Sequence, residues 1–299
     1  NNYRAEKIQP FFRNFDTARL DHLDPVRAAI LTQHASHLGV SETIDPDTHE
    51  GTNSGPAVRQ YLESDTRAFE GNAWCASYGS WVLDQIESYA GLEPNEFMEG
   101  NMRVHEVADQ IGTDSPQAIK SFTQYEPHGG DAILYLNDGG TGHFATAVAS
   151  FKLEENITNV ITIDGNSRDG VNLSQAIVYT DPDTGTSYSA YIDTEGYITP
   201  DYTTEIIAID ISELPNYGRL QDAFERSATP YIPMTSTDPE FEHDFEQVGL
   251  LSKILDTYRA TIQHEVTVPD LQNLSAEDIP DNVIEADETS PQRPIIPTF

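Results

Sequence analysis

The chain has 299 residues, 37% of them hydrophobic, and fifty acidic residues against sixteen basic ones give a net charge of −34. At roughly 150 residues per domain this means one large domain or two modest ones, with enough apolar residues for a core. A surface this negative repels nucleic-acid phosphate and anionic lipid, and no run approaches the roughly 18 apolar residues of a membrane span, so DNA binding and a helical membrane anchor are excluded.

The first residues, Asn1-Asn2-Tyr3-Arg4, lack a Met, a charged leader and an apolar segment, and read as a processed or trimmed end. Leu20, Leu23, Val26, Ala29, Ile30 and Ala35 recur near helical spacing and predict a helix within 17–38, starting near Asp24-Pro25 and stopped by Gly39. A polar loop over 41–55 and a helical stretch over 56–63 follow. From Cys75 the apolar residues Tyr78, Trp81, Val82, Ile86 and Tyr89 fall three and four apart, which puts Cys75 in the first turn of an amphipathic helix ending at Gly91.

After about residue 130 the pattern turns to β. Runs at 131–136, 144–151 and 159–163 are separated by Gly-, Asn- and Asp-rich turns, 176–180 and 187–192 flank a hairpin turn, and 205–211 reads as a further strand. One more helix is predicted over 245–261. The stretch from Val266 to Phe299 holds five prolines and almost no periodicity, as a disordered tail or an extended arm would.

Cys75 is the one cysteine, so no intrachain disulfide can form. A thiol is a useful nucleophile only as thiolate, and a helix N-terminus and a nearby imidazolium both lower its pKa. Among nine histidines His143 stands apart: it opens a strand directly after Gly139-Gly140-Thr141-Gly142, which would fix it at a sheet rim. The next strand delivers Asp164-Gly165-Asn166, and a carboxylate or an amide there would hold the imidazole in the triad manner. The segment Asp45–Glu50 has the acids of a calcium loop but lacks the ligand spacing and the glycine at the sharp turn, and reads as a solvated turn.

Several of these pieces, in order, resemble the CHAP and NlpC/P60 superfamily of papain-like cell-wall hydrolases. They are Leu38-Gly39-Val40-Ser41-Glu42, Asn53-Ser54-Gly55-Pro56, Trp74-Cys75-Ala76-Ser77-Tyr78, Gly130-Asp131 opening a strand, Gly142-His143 opening the next, and Ile163-Asp164-Gly165-Asn166. The resemblance spans residues 25–175. It implies an α+β papain-like fold with N-terminal helices packed on an antiparallel β-sheet, in a domain of residues 1–215 followed by a C-terminal extension over 216–299. It implies Cys75 as nucleophile and His143 as general base. Asp164 matches the acid and Asn166 the amide of the family's Glu-Gly-Asn pattern, and either would orient the base. An oxyanion would be met by the Cys75 N–H and an upstream side chain, for which Asn72 is a candidate.

The reaction so implied is hydrolysis of an amide or peptide bond through a thioester, with no metal or organic cofactor. Its substrate would be a cell-wall or envelope peptide or glycoprotein, met outside a cell or on a virion. The acid-rich, Lys-poor composition resembles that of proteins working in high salt, where ions screen self-repulsion; the alternative is an ordinary acidic secreted protein. A second reading makes the protein a structural virion tail or surface component, with the C-terminal arm lying along other virion or surface proteins. An acyltransferase with the same Cys-His-Asp machinery is a third.

Overall fold

Six α-helices and seven β-strands form among the described residues, which in this computed structural model are 15, 17–63, 69–94, 103–194, 197–227 and 229–262. The expected arm from Val266 lies outside them. The helices are α1 (Pro25–Ala35), α2 (Pro56–Leu62), α3 (Cys75–Ala90), α4 (Val104–Asp114), α5 (Tyr217–Arg226) and α6 (Phe245–Ile262). Local chemistry starts α1: the Asp24 carboxylate accepts the N–H groups of Val26 and Arg27, and Pro25 takes the first position, where an amide would be unpaired anyway. Gly91 ends α3 at φ 73°, in the left-handed region that a glycine enters without strain.

The strands are β1 (Ile119–Lys120), β2 (Ala132–Asn137), β3 (Gly142–Glu154), β4 (Ile157–Ser167), β5 (Gly170–Thr180), β6 (Ser187–Ile192) and β7 (Ile198–Ile209), every pairing antiparallel. They run in the order β7-β2-β3-β4-β5-β6, and β6 pairs back to β7, so six strands close into a barrel with β1 added against β7. The seam lies within β7. Its first part pairs with β6, from Ile192↔Ile198 to Ser189↔Asp201, and its second with β2, from Asn137↔Thr204 to Ala132↔Ile209.

This corrects the expected papain-like α+β fold: the antiparallel sheet is a closed six-stranded barrel, and the helices pack on the outside of its wall. The physical reason lies in strands such as β3, which is buried without interruption from Phe144 to Phe151. A strand buried on both faces needs two covers. Helices cover the outer face, where Leu134, Phe144, Val148 and Ile163 join the main core with residues of α1 and α3. The sheet covers the inner face by curling on itself. That interior is a second core of Ile133, Ala145, Ala147, Val160, Val178, Ile206 and Ala208, plugged by Phe122, and its three alanines leave room for opposite walls to approach.

The residues beyond 216 are part of the same body as far as 262. Leu220 and Phe224 of α5 and Val248, Leu251 and Leu255 of α6 belong to the main core. The chain between them is pinned across α1: Gln33 accepts from the Met234 N–H and donates to its carbonyl, and His243 Nε2 donates to the Ser36 carbonyl. Under the barrel edge, the buried Arg27 guanidinium bridges three carboxylates, at 2.6 Å from Asp131, 3.0 Å from Asp210 and 3.4 Å from Asp24. Among the described residues no helix is long and apolar enough to cross a membrane.

Candidate active site

Cys75 is the first residue of α3, and Trp74 before it has non-helical backbone (φ −116°, ψ 12°) with no side-chain cap. The amides of the first turn are therefore uncommitted by capping and lie beside the thiol. Two close approaches seat this end of α3 on the barrel. A Cβ on Gly79 would stand 2.3 Å from the Phe144 ring, and a Cβ on Gly165 would stand 2.5 Å from the Tyr78 ring. Each glycine is thus a hole for the opposite element's aromatic, one next to His143 and the other next to Asp164. The helix cannot slide along the wall without disturbing both.

His143, the second residue of β3, pairs with Tyr135 of β2, whose ring meets the imidazole edge-on at 5.7 Å between centroids. Its Nε2 lies 3.2 Å from Asp164 Oδ2. That side chain of Asp164 is fully buried, while His143 is 14% exposed. With Nε2 turned to Asp164, Nδ1 is the nitrogen left to face the thiol. Cys75 itself is 3% exposed. Burial pushes its thiol pKa up, but the His143 imidazole in contact with it, together with the amides of Phe144 and Ala76, pulls further the other way, and the net shift is downward.

Of the four residues singled out from the sequence, Cys75, His143 and Asp164 come together. Asn166 stands two residues beyond Asp164 at φ 56°, in the irregular stretch where the β4–β5 register shifts before Ser167. The group on the far side of the imidazole is Asp164. Asn72, the candidate oxyanion donor, lies three residues before Cys75, and its Oδ1 is buried with no hydrogen-bond partner among the described residues. The acids of 45–50 form a local turn in which Asp45 Oδ1 accepts the N–H groups of Asp47 and Thr48. Among the described residues no group of three or more His, Cys, Asp or Glu side chains is arranged to hold a metal ion.

Behind the site lies a buried polar network that the sequence did not announce. His37 Nε2 donates to the Met234 carbonyl at 2.8 Å, so its Nδ1 accepts the Tyr61 hydroxyl at 2.7 Å, and His34 Nδ1 meets the Tyr78 hydroxyl at 3.1 Å. Burial, reinforced for His34 by the neighbouring His37, lowers both imidazoles to about 3, so both are neutral. The Trp74 indole N–H donates to the buried Glu42 carboxylate at 2.8 Å. The helical spacing that predicts α1 does not single out His34, and His37 and Glu42 lie beyond its end. α1 is buried almost all round, so Gln33 and His34 point inward, and the segment after it buries His37 and Glu42 as well.

Comparison with protein-family models, curated proteins and solved structures gives no match for this chain.

Proposed function

We propose that the protein is a hydrolase of amide bonds that uses Cys75 as nucleophile, His143 as general base and acid, and Asp164 to orient the imidazole. One observation carries this reading: the chain's only thiol sits at a helix start with a lowered pKa, against an imidazole whose other nitrogen is held by a buried carboxylate. Cys75 and His143 form a thiolate–imidazolium pair that attacks the scissile carbonyl. The oxyanion is met by first-turn amides of α3, and His143 passes its proton to the leaving amine. His143 then takes a proton from water, and the resulting hydroxide releases the acyl group from sulfur. Asp164 stabilises the imidazolium in both halves of the cycle.

His143, at 14% exposed, is the least buried of the three and borders the rim turn at Thr141-Gly142. The expected substrates are cell-wall or envelope peptides and glycoproteins, met outside the cell or on a virion at high salt. Support for that class comes from the ordered motifs and from the charge of −34. The burial of Cys75 favours a second reading, an assembly scaffold with an idle triad.

The test is to incubate the protein in molar salt with purified cell walls and with an envelope glycoprotein, and to count newly released amino groups. Release by wild type that is abolished in Cys75→Ser and His143→Ala supports the hydrolase. No release, together with failure of a peptide aldehyde to add to Cys75 in intact-mass spectra, overturns it in favour of the scaffold.

A further inference from the structure

Trp74 is the residue on which the nucleophile's helix begins, and its indole N–H ends on Glu42. Glu42 is itself 5% exposed and belongs to a short ladder between residues 39–42 and the start of β5. Gly39 N–H donates to the Val171 carbonyl, Val171 N–H to Val40, and Glu42 N–H to Asp169, with Ser41 bridged to Gly170. The turn that carries Asp169 follows directly on Asp164, Gly165 and Asn166. One side chain therefore ties the entry to α3 to the hairpin that delivers the orienting carboxylate.

The second carboxyl oxygen of Glu42 faces another carboxyl. A Cβ placed on Gly51 would fall 1.7 Å from Glu42 Oε1 and 2.3 Å from Asp169 Oδ1, so the two oxygens are near neighbours across that glycine. The Asn53 N–H also meets the Glu42 carboxyl. Two carboxyl groups that close repel when both are ionised, which favours a proton held between them. Burial first, and then Asp169, raise the Glu42 pKa against the pull of the Trp74 and Asn53 donors.

We propose that Glu42 is a positioning residue for Cys75: as a carboxylic acid it accepts the Trp74 indole N–H and donates to Asp169, and so fixes the first turn of α3 against the His143–Asp164 pair. The proposal rests on the reading of Cys75 as a nucleophile paired with His143. Glutamine reproduces both bonds of a protonated Glu42, its carbonyl accepting from Trp74 and its amide donating to Asp169. Alanine reproduces neither. Trp74→Phe removes the same bond from the other side while keeping a ring to pack on Tyr61, on which Trp74 stacks at 5.3 Å.

The experiment is the rate of Cys75 alkylation by iodoacetamide against pH, in molar salt, for wild type, Glu42→Gln, Glu42→Ala and Trp74→Phe, with circular dichroism to confirm folding. Glu42→Gln keeps the low-pH labelling of wild type. Glu42→Ala and Trp74→Phe lose about tenfold at pH 6, the fall expected when a thiol pKa rises by one unit. If Glu42→Ala does not fold, Trp74→Phe decides. A folded Trp74→Phe or Glu42→Ala that labels like wild type overturns the positioning role, and so does a Glu42→Gln that behaves like the alanine variant. If wild type itself shows no low-pH labelling, the nucleophile reading falls and the role of Glu42 falls with it. That result is distinguishable, because the other failures leave the wild-type profile intact.

Discussion

Replacing Gly79 by alanine sets two effects of similar size against each other. In a helix interior the change ordinarily gains about 1 kcal/mol, since alanine is the better helix former. In α3 the new Cβ would fall 2.3, 2.6 and 2.8 Å from three carbons of the Phe144 ring. Carbon atoms prefer roughly 3.5–4 Å, so ring or helix must yield by about 1 Å. Overpacking of this kind costs about 1–3 kcal/mol, which leaves a net loss between about zero and 2 kcal/mol. Stability therefore changes little. The site suffers more, because Phe144 is bonded to His143, and a shift of about 1 Å at reacting groups is worth up to about a hundredfold in rate. Gly112→Ala is the internal control: it sits near the end of α4, where the nearest atom to its Cβ would be Ile119 Cδ1 at an ordinary 3.6 Å. Urea unfolding should show Gly112→Ala gaining about 0.5–1 kcal/mol with unchanged Cys75 alkylation. Gly79→Ala should lose at least about tenfold in alkylation at pH 6 with a small stability change, the loss matching a rise of about one unit in the thiol pKa. A Gly79→Ala protein that gains stability like the control and labels like wild type would refute the claim that α3 and β3 are locked at this contact.

Arg27→Met removes the cation from the buried Asp131 and Asp210 carboxylates and should destabilise the fold by about 3–5 kcal/mol in urea unfolding at molar salt; a loss under about 1 kcal/mol would contradict the bridging role. The histidines give a pH signature. His34 and His37 have folded pKa values of about 3 against 6.5 unfolded, so the unfolded chain binds more protons below pH 6.5. Their stabilisation is complete above pH 6.5 and shrinks as the pH falls toward 3, by on the order of 1 kcal/mol per pH unit for each histidine. The window from pH 6.5 to 5 reads it most cleanly, because most carboxylates are still ionised there and salt screens their repulsion. Urea midpoints that stay flat or rise across that window would count against two buried neutral imidazoles.

The elements that carry the site could be read from the sequence because their signals are local. Helical spacing from Tyr78 to Tyr89 with a terminal Gly91, and a strand opening at His143 after a glycine-rich turn, depend on a few neighbouring residues. The choice between Asp164 and Asn166 could not be made there, since it depends on how β4 leaves the sheet after Asp164. Barrel closure was hidden for a similar reason. The first part of β7, Ile198-Thr199-Pro200-Asp201-Tyr202-Thr203, has no apolar alternation and a proline; none of these residues is buried, and the strand changes partners just beyond them. The Arg27 bridge joins residues more than a hundred positions apart, and the Glu42–Asp169 pair is assembled across a glycine. No periodicity encodes either. Burial decides what such polar residues do, and burial here follows from the barrel.

The most direct test of the catalytic pair is the pH dependence of Cys75 alkylation in molar salt, for wild type and His143→Ala. With one cysteine in the chain the signal has one source. A Cys75–His143 ion pair gives fast labelling of wild type well below the ordinary thiol pKa of about 8.5, and its loss in the variant. Labelling that rises only near that pKa, and equally in both proteins, would mean that the imidazole does not activate the thiol.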